Sequence, residues 1–233
     1  MSVSILGKTY DIETTTRLDL SNKNLENYLL EINKICKLIK LQSLNLAENG
    51  INSLPVEICK LINLRELNLG FNSLKSLPSE IGNLINLKKL ILEYNDLKNL
   101  PIEIGNLTNL KELNLHFNQL TILPPEIGNL MSLEILILHD NKITSLPKEI
   151  LKIKEYLEID ETSYDINNLD YDCEILIFMD LRTDLINLPI GLKKIYLDED
   201  WIYGITKPNI ELPFGCEILL FKKNNTFNNI SLL

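Results

Sequence analysis

The sequence predicts an α/β solenoid, in which short parallel strands stack side by side and each strand is followed by a returning segment. Three observations support this. One 23-residue pattern recurs five times in register between residues 41 and 153. Each copy begins with apolar residues at alternate positions, which is typical of a half-buried strand. Each copy then carries an asparagine and, five residues later, a Leu-Pro pair.

The repeated pattern reads L-x-x-L-x-L-x-x-N-x-[LI]-x-x-L-P-x-E-I and begins at Leu41, Leu64, Leu87, Leu110 and Leu133. This is the leucine-rich repeat signature. A single copy cannot bury enough apolar surface to fold alone, so the copies must stack. The sequence therefore predicts a horseshoe with parallel strands on its concave face. In the third copy, Leu90 is predicted to point inward, and Lys89 and Ile91 outward.

The asparagine of each copy is predicted to lie at the bend that follows the strand. A buried amide there can bond backbone groups of its own coil and of the neighbouring coil. We therefore expect an internal ladder of Asn49, Asn72, Asn95, Asn118 and Asn141. The Leu-Pro pair fixes φ on the return arm. The following Glu-Ile and glycine (Gly82, Gly105, Gly128) favour a short helical turn with a glycine exit.

Two segments flank the clear repeats. Residues 1–14 alternate apolar residues around Gly7, which predicts a hairpin that caps the first coil. A degenerate repeat starts near Thr15 and holds Lys23 at the asparagine position. Its return arm, Tyr28 to Lys40, has apolar residues at helical spacing and predicts a helix.

Beyond Ile153 the register can still be followed through four shorter, degenerate repeats over residues 154–224. The three leucine positions of the L-x-x-L-x-L pattern are occupied by Lys154-Leu157-Ile159, Cys173-Leu176-Phe178, Leu192-Ile195-Leu197 and Cys216-Leu219-Phe221. Residues 225–233 would close the end. The sequence thus predicts about ten coils in one domain.

The middle copies, with L-P-x-E-I-G-N-L-x-N-L, resemble the intracellular leucine-rich repeat class of Ras-suppressor-like and plant Ras-group proteins. That resemblance implies a non-enzymatic protein that holds protein partners such as a small GTPase or a signalling complex. The segment Leu188 to Leu197 is similar to the shorter repeats of bacterial effectors and of amoebal and giant-virus proteins. Some of those serve ubiquitin ligases, so substrate recognition in a ubiquitin-ligase system is the alternative function.

The net charge of −9 is concentrated in residues 155–200, which hold thirteen acidic and three basic residues. An acidic chain repels phosphate, which argues against nucleic acid and anionic membrane as partners. The chain shows no apolar run of transmembrane length and no secretory signal pattern. Its four cysteines are scattered, which favours a reducing, cytoplasmic setting.

One column of outward strand positions, read across the repeats, has three stacked aromatic residues at its centre. It runs Glu48, Phe71, Tyr94, Phe117 and Asp140. Such a column resembles the aromatic anchors that dominate interface energetics. The competing interpretation is that the rings only cover neighbouring backbone. Neighbouring outward positions, including the apolar Ile91 and Ile137, would extend the patch. The predicted partner-binding residues are Phe71, Tyr94, Phe117, Ile91, Ile137, Lys89, Glu93, Glu112, His116 and His139.

A further column, Glu93, His116, His139 and Asp160, contains both histidines of the chain. Imidazoles and carboxylates at strand spacing could hold a divalent ion. A straight row does not converge on a tetrahedron, however, so a metal-dependent site at His116 and His139 is the least favoured alternative. Cys173 and Cys216 are interpreted as buried core residues. No catalytic residue and no cofactor is predicted.

Overall fold

The computed structural model of the chain describes residues 1–25, 28–138, 140–143, 147 and 149–150, and the backbone of five later strands. The chain begins with a hairpin of β1 (Ser2–Ile5) and β2 (Lys8–Asp11). Leu6 and Gly7 form its two-residue loop, and both have positive φ, as tight hairpin turns require. Val3 and Ile5 of this hairpin are buried in the core.

An α-helix follows the first strand of the main sheet. Helix α1 (Tyr28–Ile35) buries Ile32 and Ile35 against the core. The predicted helix is therefore present, but it ends before Lys40. Glu31 joins it to the hairpin, because its carboxylate accepts the N–H of Leu6 at 3.2 Å and pairs with Lys34 at 2.7 Å.

The main sheet has eleven described strands in the order of the sequence, and all but the last run parallel. They are β3 (Arg17–Asp19), β4 (Ser43–Asn45), β5 (Glu66–Asn68), β6 (Lys89–Ile91), β7 (Glu112–Asn114), β8 (Ile135–Ile137), β9 (Leu157–Ile159), β10 (Ile175–Phe178), β11 (Lys194–Asp198), β12 (Glu217–Lys222) and the antiparallel β13 (Thr226–Asn228). The parallel-strand prediction is confirmed. The segments between β9 and β13 lie outside the described residues, so the horseshoe and the ten coils stay predictions.

Equivalent leucines pair across the sheet. Leu18, Leu44, Leu67, Leu90, Leu113, Leu136 and Leu157 occupy one row. The predicted register is wrong at β12, where Ile195 pairs with Ile218 instead of Leu219. Four consecutive apolar residues, 218–221, remove the alternation that specifies register, so the sequence pattern does not choose between neighbouring alignments.

The return arms carry 3₁₀ helices, each preceded by the predicted proline with φ between −66° and −68°. They span Val56–Lys60, Ser79–Asn83, Ile102–Asn106 and Pro125–Asn129. Their buried isoleucines and the strand leucines form one continuous apolar core. Among the described residues, no helix is both long and apolar enough to span a membrane.

The internal asparagine ladder is confirmed. Asn95 donates from Nδ2 to the carbonyl oxygens of Leu69 and Leu92 at 2.9 and 3.0 Å, and its Oδ1 accepts the N–H of Leu74 at 2.9 Å. Asn118 repeats these contacts one coil later. Each amide therefore connects its own coil to the preceding one.

The glycine found in three of the return arms has a different role from the one predicted; the first 3₁₀ helix carries Cys59 at this position. Gly105 lies inside its 3₁₀ helix, not after it, and does not have positive φ. A Cβ on Gly105 would lie 2.5 Å from the carbonyl oxygen of Glu126 in the next coil. Gly82 and Gly128 meet Glu103 and Glu149 in the same way. The glycine is required because adjacent coils approach closely, not because the chain turns there.

A second row of asparagine amides, not predicted from the sequence, lies before the strands. Asn63, Asn86 and Asn109 donate to the carbonyl oxygens of Ile39, Ile62 and Ile85 at 2.8, 2.9 and 2.8 Å. Each bond again reaches the preceding coil. The sequence contained a signal for this row, because the second asparagine of E-I-G-N-L-x-N-L recurs in each of these repeats.

We expect Asn95→Ala to lower the free energy of unfolding by about 2–4 kcal/mol, because it leaves the buried N–H of Leu74 unpaired and opens a small cavity. Asn99→Ala, at an exposed position in the same coil, is the control and should change the free energy of unfolding by less than about 0.5 kcal/mol. Urea denaturation followed by circular dichroism measures both. Equal effects of the two substitutions would contradict a stabilising role of the asparagine ladder.

Gly105→Ala should be destabilising by about 1–3 kcal/mol, because the added methyl pushes against the backbone of the next coil. Ser79→Ala, exposed in the preceding 3₁₀ helix, is the matched control. Thermal unfolding of the two variants gives the comparison. A Gly105→Ala protein as stable as the control would show that the coils can separate freely.

Candidate functional site

The aromatic column lies on the bends, not within the strands as predicted. Phe71, Tyr94 and Phe117 each follow the end of β5, β6 or β7 by three residues. Their φ angles are 54°, 51° and 49°, in the left-handed region. Glu48 and Asp140, at the two ends of the column, have φ of 58° and 54°. All five residues therefore share one backbone conformation, immediately before the ladder asparagine.

This conformation does not favour aromatic residues. It is unfavourable by roughly 1–2 kcal/mol for most side chains, and Gly and Asn adopt it most readily. The backbone therefore does not explain why three successive bends carry Phe, Tyr and Phe. Their side chains must contribute something that glycine or asparagine would not.

The three rings form a continuous stack, which we call the aromatic ladder. The Phe71 and Tyr94 ring centroids are 4.4 Å apart with planes at 12°, and those of Tyr94 and Phe117 are 4.4 Å apart at 14°. Each ring pair contributes about 0.5–1.5 kcal/mol beyond area burial. The predicted stacking is confirmed. The side chains nevertheless remain 46%, 39% and 42% exposed, so the ladder presents a large apolar surface to solvent.

The His116 ring contacts two rings of the aromatic ladder. Its ring meets Phe117 edge-on at 4.3 Å and Tyr94 at 5.3 Å. Its Nδ1 lies 3.5 Å from Oδ2 of Asp140, and its side chain is only 15% exposed. His116 is thus engaged with both rings and with a carboxylate, which fixes the Phe117 end of the ladder.

Beside the ladder lies what we call the exposed strand face, formed by the solvent-facing side chains of β3–β8. Lys89 pairs with Glu112 at 2.7 Å. Glu93 accepts a hydrogen bond from Nδ2 of Asn114 at 2.8 Å, and its Cγ lies against Gly70, where a Cβ would come within 3.1 Å. Three of the predicted site residues are therefore held in fixed polar contacts.

Ile91 does not extend the apolar surface. It was expected to be exposed, but only 7% of it is accessible, and this expectation is wrong. Ile137, at the equivalent position of β8, is half-buried. The polar side chains of the neighbouring strands cover the strand positions more completely than the alternation pattern indicates. Among β3–β8 and the bends that follow them, the exposed large apolar residues are therefore those of the aromatic ladder and Ile135, which is 39% exposed.

A shallow depression of about 200 Å³ lies on the exposed strand face over β4–β6. Ser43, Asn45, Glu66, Asn68 and Lys89 contribute its polar lining, and Ser43 Oγ donates to Glu66 at 2.8 Å. Neither Ser43 nor Glu66 was predicted from the sequence as a site residue. The sequence could have indicated them, because Ser43, Glu66, Lys89 and Glu112 follow one another at 23-residue intervals and therefore lie side by side on adjacent strands.

The strand face and its bends are acidic. From β3 to the bend after β8, the described charged residues are Asp19, Glu48, Glu66, Glu93, Glu112 and Asp140 against Arg17, Lys23 and Lys89, a net charge of −3. Arg65, Lys88 and Lys111 lie at the opposite edge, before the strands, and Lys111 is paired with Glu134. The acidic residues therefore lie on the strands and at the bends that carry the aromatic ladder, and these basic residues lie before the strands.

The histidine column is only partly described. His139 and Asp160 lie outside the described residues, as do Cys173 and Cys216. Within the part of the chain that the structure describes, no group of three or more metal-binding side chains is found. Burial raises the pKa of the Cys36 thiol to about 11 and that of Cys59 to about 12, which makes both weak nucleophiles at neutral pH.

Comparison with known proteins gives consistent results. A family model described as leucine-rich repeat region matches residues 13–121, and one for two leucine-rich repeats matches residues 108–153. Comparison with curated proteins gives no match.

Among solved structures, a leucine-rich repeat protein of Leptospira interrogans is 32% identical, with a TM-score of 0.64 over 91% of this chain. An internalin of Listeria monocytogenes is 19% identical, with a TM-score of 0.63 over 91% of this chain. A plant peptide hormone receptor is 24% identical, with a TM-score of 0.52 over 79% of this chain.

The chain spans 58%, 65% and 30% of the lengths of these three proteins, respectively. The latter two likenesses concern the fold alone. Together, the 23-residue register, the parallel sheet, the asparagine ladder and the two family matches identify the chain as a leucine-rich repeat protein.

Proposed function

We propose that this chain is a non-enzymatic module that holds a protein partner on its strand surface, with the aromatic ladder as the anchor. The observation that carries the proposal is the stack of Phe71, Tyr94 and Phe117, exposed at bends whose backbone favours smaller residues. Leucine-rich repeat proteins generally mediate protein–protein interaction and are typically not enzymes. The concave surface as the place of binding is part of the proposal.

The size of the ladder sets a requirement on the partner. With 150–250 Å² per aromatic side chain and exposures near 40%, the three rings still offer roughly 250 Å² of apolar surface. Burying it would contribute about 6 kcal/mol at ~25 cal/mol per Å². Association costs at least about 4 kcal/mol, and often much more. The ladder therefore anchors a partner that must also contact the polar strand face.

The identity of the partner is proposed from resemblance only. The Ras-suppressor-like and plant Ras-group repeats favour a small GTPase or a signalling complex, in the cytoplasm. The shorter C-terminal repeats favour substrate recognition in a ubiquitin-ligase system as the alternative. A captured ligase subunit would select the alternative, and a captured GTPase or its regulator would select the first.

The proposal predicts that the combined Phe71→Asn, Tyr94→Asn and Phe117→Asn variant folds but loses its partner. Asparagine adopts the left-handed bend readily, so relief of backbone strain offsets the lost stacking and stability should change by no more than about 2 kcal/mol. Partners are identified by affinity purification with mass spectrometry, and the affinity of a purified partner is then measured. We expect at least a tenfold loss of affinity.

The matched control is the combined Ile62→Asn, Ile85→Asn and Met131→Asn variant. These residues are 54%, 54% and 63% exposed and lie before the strands, away from the ladder. This control should retain the partner at full affinity. A folded ladder variant that still binds, or a control that fails equally, would remove the ladder as the anchor.

A further inference from the structure

We propose that the partner presents an arginine side chain to the Phe71 end of the aromatic ladder, where it stacks on the outer face of the ring and pairs with Glu48. The occupant is thus an arginine-bearing, basic segment of a protein. This inference rests on the proposed function and adds the chemistry of the partner.

The two ends of the ladder differ from its middle. Tyr94 has Phe71 on one face and Phe117 on the other, each at 4.4 Å. Phe71 has a ring on one face only, among the aromatic contacts of residues 1–25 and 28–138. Its outer face is directed toward the preceding coil, where Glu48 occupies the same position. The N–H of Glu48 donates to the carbonyl of Gly70 at 3.1 Å, which places the two bends side by side.

The two ends also differ from each other. At the Phe117 end, Asp140 is engaged by His116, and the His116 ring contacts Phe117 edge-on. At the Phe71 end, Glu48 is exposed and makes no ion pair within the described part of the chain. Among the described bends, only the Phe71 end therefore combines a ring face that is not stacked with an adjacent bend whose exposed carboxylate, that of Glu48, makes no ion pair.

The chemistry of this end favours arginine. A cation is attracted to the face of an aromatic ring, and a guanidinium can lie flat on it while its N–H groups pair with a carboxylate. Its plane would extend the ladder by one step at the spacing that the rings already have. A lysine ammonium is a compact, strongly hydrated charge that cannot stack in this way.

The surroundings favour a basic segment as a whole. The strand face and its bends carry a net charge of −3, and the net charge of the whole chain, −9, has the same sign. This charge would speed encounter with a basic partner and would be weakened by salt. An acidic or phosphate-bearing partner would be repelled.

The test uses the full chain and three fluorescein-labelled twelve-residue peptides that alternate serine with arginine, lysine or glutamate. Fluorescence anisotropy gives each affinity at 50 and 500 mM salt. We expect the arginine peptide to bind about 3- to 10-fold more tightly than the lysine peptide, the glutamate peptide not to bind, and high salt to weaken both basic peptides.

Two substitutions locate the binding. Glu48→Gln should weaken the arginine peptide at least fivefold, whereas Glu13→Gln, which changes the net charge equally in the N-terminal hairpin, should change affinity less than twofold. Phe71→Leu keeps an apolar side chain but removes the ring. It should abolish the preference for arginine over lysine while circular dichroism stays native.

Three results would overturn the inference: no binding of the arginine peptide, equal binding of arginine and lysine peptides, or indifference to Glu48→Gln. The proposed function would survive any of these if the ladder variant still lost its protein partner. It would fail by itself if the ladder variant kept that partner. The two outcomes are therefore separable.

Discussion

The five 23-residue repeats depend on one asparagine amide per coil, placed at the bend after the strand. At each bend the ladder asparagine donates to carbonyl groups of its own coil and of the preceding coil, and it accepts an N–H from the preceding return arm. Without such a side chain, these backbone groups would be buried away from water with fewer partners, which is unfavourable by a few kcal/mol. The amide therefore allows the strand to end sharply inside an apolar stack.

The same bend creates the candidate site. To bring Asn95 into the ladder, the residue before it adopts the left-handed conformation, and its side chain is directed out of the coil. Because every coil bends in the same way, these outward side chains lie about 4.8 Å apart along the stack. Phe71, Tyr94 and Phe117 can stack only because of this regularity. The candidate binding surface therefore results from the same bends that place the asparagines inside the core.

The close approach of adjacent coils at their return arms keeps the spacing between coils regular. The glycine of the return arm lies against the backbone of the following coil, where a methyl group would not fit. The amide row of Asn63, Asn86 and Asn109 connects the coils before the strands. The spacing of the rings is therefore set by contacts far from the rings themselves.

The sequence by itself determined the repeat unit, the parallel strands and the asparagine ladder, because each rests on a local pattern that recurs in phase. Tertiary structure decided what depends on the distance between coils. It buried Ile91, which alternation had placed outside, and it moved the aromatic column from the strands to the bends. It also gave Gly105 a packing role and shifted the register at β12, where four consecutive apolar residues leave the alignment open. Side-chain alternation specifies which face a residue occupies, but only the neighbouring coil determines how much of that face remains in contact with water.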